Sequence, residues 1–258
     1  LAFNYVYKNG NIRGNNQDRI QCAENLKTFV NEIKNSNKTI NGKNVEISNM
    51  VKNAFFYCMN DFKLEKEILE SQWKSNSKQN ENLGEFIPMI DTSGSMEGLP
   101  LYSAIGLGIR CSEKSIIKDR VLTFSHNPKW VDLSSCNDSF IEKVNKIKHS
   151  SWGINTDFQR AYKMILHALI EKNVKPEKIK NLTLIVFSDM QFDQAVESGE
   201  DGNMGTMFDI MKNEFKKFNY ELPKIVFWNL KQTNGFPTLT NTKNVMMVSG
   251  NSPALLNI

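Results

Sequence analysis

From residue 85 to residue 248 the chain alternates short apolar runs of strand length with amphipathic stretches of helical length, and few folds accommodate that pattern. Strand-like runs occupy residues 85–90, 120–125, 182–188, 224–229 and 245–248, and a short edge strand at 129–133 follows the Asn127-Pro128 turn. Helical spacing of apolar residues marks 101–112, 138–148, 157–172 and 206–218; in the third of these Phe158, Ala161, Tyr162, Ile165 and Leu169 share one face. The run Leu182-Thr183-Leu184-Ile185-Val186-Phe187 lacks the polar alternation of a half-exposed strand. It belongs to a sheet covered on both faces. Alternation of this kind predicts an α/β fold with a doubly wound, mostly parallel sheet. The helix at 101–112 contains Ala104, Gly106 and Gly108, small enough to approach that sheet closely. Pro88 is the exception, because it brings no backbone donor to its strand.

Ahead of this pattern, residues 1–80 read as helices and polar connections. Leu26, Phe29, Val30 and Ile33 recur at helical spacing within 25–34, further helices are expected at 45–56 and 62–73, and Asn- and Lys-rich gaps at 35–44 and 74–82 read as loops. The expected division is a helical segment at 1–80 and an α/β domain at 81–258. Because the chain opens on Leu1, it is expected to be a piece of a longer or processed protein. The net charge of +4 is placed unevenly: residues 1–80 hold 12 Lys/Arg against 8 Asp/Glu, and the remainder holds 20 of each. The main domain is therefore a poor nucleic-acid binder on charge alone. No run of about 18 apolar residues predicts a membrane span. Cys22, Cys58, Cys111 and Cys136 lie far apart without a C-x-x-C pair, which points to a reducing compartment and an intracellular, cytoplasmic protein.

The sharpest chemical signal stands where the first strand ends. Asp91-Thr92-Ser93-Gly94-Ser95-Met96 places a carboxylate and two hydroxyls at i, i+2 and i+4. On a loop leaving a strand, such oxygens can turn toward one point and suit a hard divalent cation. A Ser/Gly turn with a capping Asp would use the same residues, and the loop alone leaves both readings open. Two later segments, Trp152-Gly153-Ile154-Asn155-Thr156-Asp157 before a helix and Phe187-Ser188-Asp189 at a strand end, add a third hydroxyl and a second carboxylate. The set Asp91, Ser93, Ser95, Thr156 and Asp189 resembles the metal-ion-dependent adhesion site of von Willebrand factor A domains. That resemblance implies a magnesium ion, with manganese or calcium as alternatives, ligated by the three hydroxyl residues while the acids act directly or through water. It also implies a Rossmann-like strand order 3-2-1-4-5-6. The strands ending at Asp91 and Asp189 would then flank the reversal of strand order, where open α/β sheets bind their ligands.

A narrower resemblance rests on Phe187-Ser188-Asp189-Met190-Gln191-Phe192-Asp193, Ile225-Val226-Phe227-Trp228-Asn229-Leu230, Val248-Ser249-Gly250-Asn251-Ser252 and Gln72-Trp73. These segments are similar to an uncharacterised plant and giant-virus family related to the Ro ribonucleoprotein (TROVE-like), whose members join a helical module to a C-terminal A domain; the resemblance implies that the helical segment at 1–80 is the tail of a larger helical module. The function implied is divalent-metal-dependent protein interaction, with an Asp or Glu of a partner completing the magnesium shell. Met96, His126, Trp152 and Met190 are expected on loops around that contact, with Asp157 and Asp193 nearby. RNA binding of the Ro type is the first alternative, through phosphate contacts from Lys27, Lys34, Lys38 and Lys52 in the basic N-terminal part. A metal-dependent phosphohydrolase is the second; a dehalogenase-type enzyme wants another Asp where this chain has Ser93. No catalytic residue is expected, and no membrane partner.

Overall fold

A computed structural model describes residues 17–36, 38–60, 62–78, 85–115, 118–124, 128–150, 158–190, 204–231, 244–252 and 255–256. Helices α1 (Gln17–Lys34), α2 (Ile47–Cys58) and α3 (Lys63–Ser77) precede the sheet. Next come β1 (Phe86–Asp91), α4 (Leu99–Lys114), β2 (Arg120–Phe124), β3 (Lys129–Asp132), α5 (Phe140–Lys148), α6 (Phe158–Glu171) and α7 (Pro176–Ile179). The chain closes with β4 (Thr183–Ser188), α8 (Met204–Lys216), β5 (Lys224–Asn229) and β6 (Val245–Ser249). Helix α1 begins eight residues before the expected start at 25, with Ala23 buried on the added stretch. The four-residue α7 is too short for periodicity to announce it.

The strands form one sheet in the order β3-β2-β1-β4-β5-β6, parallel throughout except for the β2–β3 pair. This is the doubly wound, mostly parallel sheet that the strand–helix alternation requires. Its side chains alternate between two cores, as a period of two dictates. Ile87, Met89, Leu184, Val186, Ile225 and Phe227 face α6 and α8, while Ile90, Ile185, Phe187 and Trp228 face α4. Pro88 is accommodated because the β1–β2 ladder starts only at Met89, so β1 is an edge on that side at the proline.

Helix α4 is enclosed on both sides. Every residue from Ser103 to Ser112 is buried, since α4 lies between the sheet and α2. A helix buried all round cannot carry one polar stripe, and α4 is apolar or small around most of its circumference. Gly108 faces the sheet, where an added Cβ would stand 2.5 Å from Ile90 Cδ1. Gly106, expected to serve the sheet, instead admits α2: an added Cβ would run into Ile47 Cγ2.

One cation is sealed into the same seam. Arg110 on α4 is 0% exposed, and its guanidinium lies 4.3 Å from the Trp73 ring centroid. It donates to Asn76 O and Oδ1, both at 3.0 Å. Asn76 in turn donates to Gly42 O at 2.9 Å and Val45 O at 3.2 Å. Trp73 stacks on Phe140 of α5 at 3.9 Å and donates from Nε1 to Glu113 at 3.2 Å. Glu113 also accepts from Lys143 at 3.1 Å. Glu70 of α3 accepts from the backbone N–H groups of Phe140 and Ile141 at 2.9 and 3.0 Å, capping α5 from another helix.

Gly106→Ala is expected to destabilise the fold by about 1–3 kcal/mol through overpacking against Ile47. Chemical denaturation should show a smaller loss for the same substitution in an Ile47→Ala background, where the clashing methyl is gone. Equal losses in both backgrounds would refute the close α2–α4 approach.

Candidate metal centre

The register of the two central strands builds the site. Ile90 pairs with Phe187, so Asp91 and Ser188 come next on neighbouring strands, and Asp189 follows. Because β1 leads toward β2 on one side and β4 toward β5 on the other, this pair is the point of reversal. A 3-10 turn at Gly94–Met96 then folds the chain back, with Met96 N donating to Ser93 O at 3.1 Å. Gly98, at φ 91°, carries the chain into α4 through a conformation that side-chain-bearing residues rarely adopt.

Four of the five sequence-predicted residues fall among the described ones. Asp91 is buried; its Oδ1 accepts from Ser93 N at 2.9 Å and its Oδ2 from Ser188 Oγ at 2.5 Å. Ser93 Oγ and Ser95 Oγ are 3.0 Å apart. Asp189 is fully buried, close enough that its charge acts on Asp91. Thr156 lies outside the described residues, as do His126, Trp152, Asp157 and Asp193. Met96 is not a rim residue: it is buried in the α4-side core, beneath the loop. Met190 packs partly against the opposite core.

Burial pushes the Asp91 carboxyl above the ordinary carboxylate range, and the neighbouring Asp189 charge pushes the same way. Hydrogen bonds from Ser188 and Ser93 oppose that shift. Ser188 is a residue that reasoning from the sequence missed. Its hydroxyl donates to Asp91 while accepting from Met190 N at 3.1 Å, which fixes its direction. Met190 has φ 62°, an uncommon backbone for a long side chain, directly after Asp189. Lys231 was missed too. It stands just past β5, with Nζ 3.6 Å from Asp189 Oδ2 and donating to Ser95 O at 3.1 Å.

On donor chemistry these residues fit a hard divalent ion: oxygens only, two carboxylates and two neutral hydroxyls. Among the described residues no group of three or more His, Cys, Asp or Glu side chains converges, so a cation here would depend on the hydroxyls. Asp91, Ser93, Ser95 and Asp189 would hold it. Of the lysines considered for phosphate contacts, Lys34 is engaged by Glu67 at 2.7 Å. Among the described residues no helix is long and apolar enough to cross a membrane.

The fold is a doubly wound, mostly parallel α/β sheet of the Rossmann-like kind, with a hydroxyl-and-carboxylate loop at its reversal point. Residues 85–258 match the family described as Domain of unknown function (DUF7788), and the chain belongs to that family. An uncharacterised protein of Acanthamoeba polyphaga mimivirus is 30% identical over 263 residues, which cover 99% of this chain and 43% of the relative. The crystal structure of the Deinococcus radiodurans RO (RSR) protein is similar in fold, with TM-score 0.52 and 14% identity over 82% of this chain and 43% of that one. The SpRpn10 VWA domain compares at TM-score 0.40 and 14% identity, over 68% of this chain and 92% of that domain. The chain thus spans less than half the length of both the viral relative and the RO protein.

The raised Asp91 carboxyl has a consequence for stability. In the folded chain it holds its proton to higher pH than in the unfolded chain, so stability falls as pH rises through that window and stays reduced at neutrality. In chelator at pH 7, Asp91→Asn should therefore raise the thermal midpoint, and near pH 3 the gain should vanish. A lower midpoint at pH 7 would show that the charge is already compensated.

Proposed function

We propose that this chain is a divalent-metal-dependent protein-interaction module, in which a carboxylate from a partner's Asp or Glu completes the shell of a magnesium ion. The observation that carries the reading is the meeting of Asp91, Ser93, Ser95 and Asp189 at the reversal point of the sheet, with both carboxylates buried. Thr156 completes the set in this proposal. When bound, the ion would supply an electron-poor centre with a position open to an outside oxygen.

The protein's own residues prepare that position. Ser188 Oγ and Ser93 N fix the two oxygens of Asp91, so its carboxylate is oriented beforehand. The hydroxyls of Ser93 and Ser95 add donors without adding negative charge. Two carboxylates balance a divalent ion, and Lys231 adds a further positive charge at the rim. The loaded site would therefore attract an anion, and a carboxylate matches it in charge and hardness.

No catalytic role is part of this proposal. The set contains no Ser/His/Asp grouping, and Ser93 occupies the place where a dehalogenase-type phosphohydrolase needs its second acid. RNA binding through the basic N-terminal segment is a separate proposal, and the two are separable by experiment.

The test is capture of partners by the full chain in magnesium and in chelator. Binding should require the metal, and Ser93→Ala or Thr156→Ala should weaken it at least tenfold while leaving the thermal midpoint in chelator within a few degrees. Partner binding indifferent to both chelator and Thr156→Ala would overturn the reading. Metal-dependent hydrolysis of phosphate esters that Asp91→Ala abolishes would replace it with the enzyme. Any RNA affinity should fall steeply with salt and survive Thr156→Ala.

A further inference from the structure

We infer that Lys231 is a tethered cation that holds the acid pair when no metal is present and must leave Asp189 for a divalent ion to seat. The inference rests on the metal-binding reading above and adds the residue that sets how readily the site loads.

Its root is fixed and its tip is free to move. Lys231 follows the end of β5, and its backbone N–H donates to Asn229 Oδ1 at 3.0 Å. The preceding residue is held by Leu230 N donating to Ser188 O at 3.0 Å. Four methylenes then span from β5 across the end of β4 to the loop after β1. The ammonium meets Asp189 Oδ2 at 3.6 Å and Ser95 O at 3.1 Å. The Lys231 side chain is 42% exposed, whereas that of Asp189 is 0%. The ammonium can therefore swing into water, and the carboxylate cannot follow.

Charge supplies the reason for the arrangement. Asp91 and Asp189 are both buried, and the Asp189 charge opposes the ionisation of Asp91. Lys231 provides one positive charge at Asp189 and, through Ser95 O, ties the first metal-site loop to the end of β4. A divalent ion drawn to the same carboxylate meets a like charge at close range, and a partly desolvated setting strengthens that repulsion. Both cations draw on the Asp189 carboxylate, whose Oδ2 the ammonium faces, so they compete for it. Loading thus becomes an exchange, with the ion entering as the ammonium withdraws along its stem.

The experiment uses the full chain and manganese alone as the probe, with binding read by electron paramagnetic resonance and stability by thermal melting in chelator and in manganese. Lys231→Met keeps the stem and removes the charge. It should bind manganese about tenfold more tightly than the parent, melt lower than the parent in chelator, and regain the difference in manganese. Lys231→Arg should keep the parent affinity within about twofold. If the parent binds manganese and Lys231→Met binds it equally or less tightly, the exchange is overturned while the metal site stands. If neither binds manganese, the metal reading fails and takes the exchange with it. Should Lys231→Met not fold, crystals of the parent grown with manganese decide the matter. An ammonium withdrawn beyond 4.0 Å from Asp189 Oδ2 supports the exchange, and one still in place beside a seated ion overturns it.

Discussion

A guanidinium cannot be buried without partners, and the position of Arg110 governs how this molecule is assembled. It lies on the central helix α4 with no exposure to water, and its hydrogen bonds run to Asn76, which belongs to the helices ahead of the sheet. Asn76 in turn anchors the chain at Gly42 and Val45. The cation over Trp73, the indole on Phe140, and Glu113 between Trp73 and Lys143 extend the same polar seam from α3 through α4 to α5. The layers are thus held in one relative position, because polar bonds of fixed direction allow less sliding than apolar contact does.

That rigidity reaches the candidate metal centre through α4. The sheet side of the helix approaches β1 closely at Gly108, against Ile90, one residue before Asp91. Its N-terminus begins where Gly98 releases the loop that carries Ser93 and Ser95. The loop is therefore held at one end by a central strand and at the other by a helix packed on both sides. Oxygens on such a loop keep their mutual spacing without a ligand present, which is the preorganisation a binding site needs.

Much of this was legible in the sequence, for physical reasons. Continuous apolar runs such as Leu184-Ile185-Val186-Phe187 can be buried only in a sheet covered on both faces, so the doubly wound architecture followed from alternation. Asp91, Ser93 and Ser95 stood out because short-range spacing on one loop is local information. Ser188 and Lys231 did not, since a serine at a strand end and a lysine after another strand have no local mark. Only the register of β1 with β4, and of β4 with β5, brings them to Asp91 and Asp189. Gly106 carries no local sign that it admits α2, because a helix sequence does not say which neighbour a small residue faces. The second layer on α4 was hidden for the same reason: α2 shows an apolar face but not what it covers.

The capping of α5 by Glu70 and the anchoring of Arg110 by Asn76 separate two boundaries that are easily equated. The stretch recognisable as a family begins at residue 85, yet a helix start and a buried charge inside that stretch are satisfied by residues that come before it. The stretch that is recognised is shorter than the stretch whose polar groups satisfy one another. A fragment cut at the family boundary would lose the Asn76 acceptors of Arg110, keep only Ser139 to cap α5, and bare an apolar surface on α4, so the unit available for recombination or transplantation includes α2 and α3.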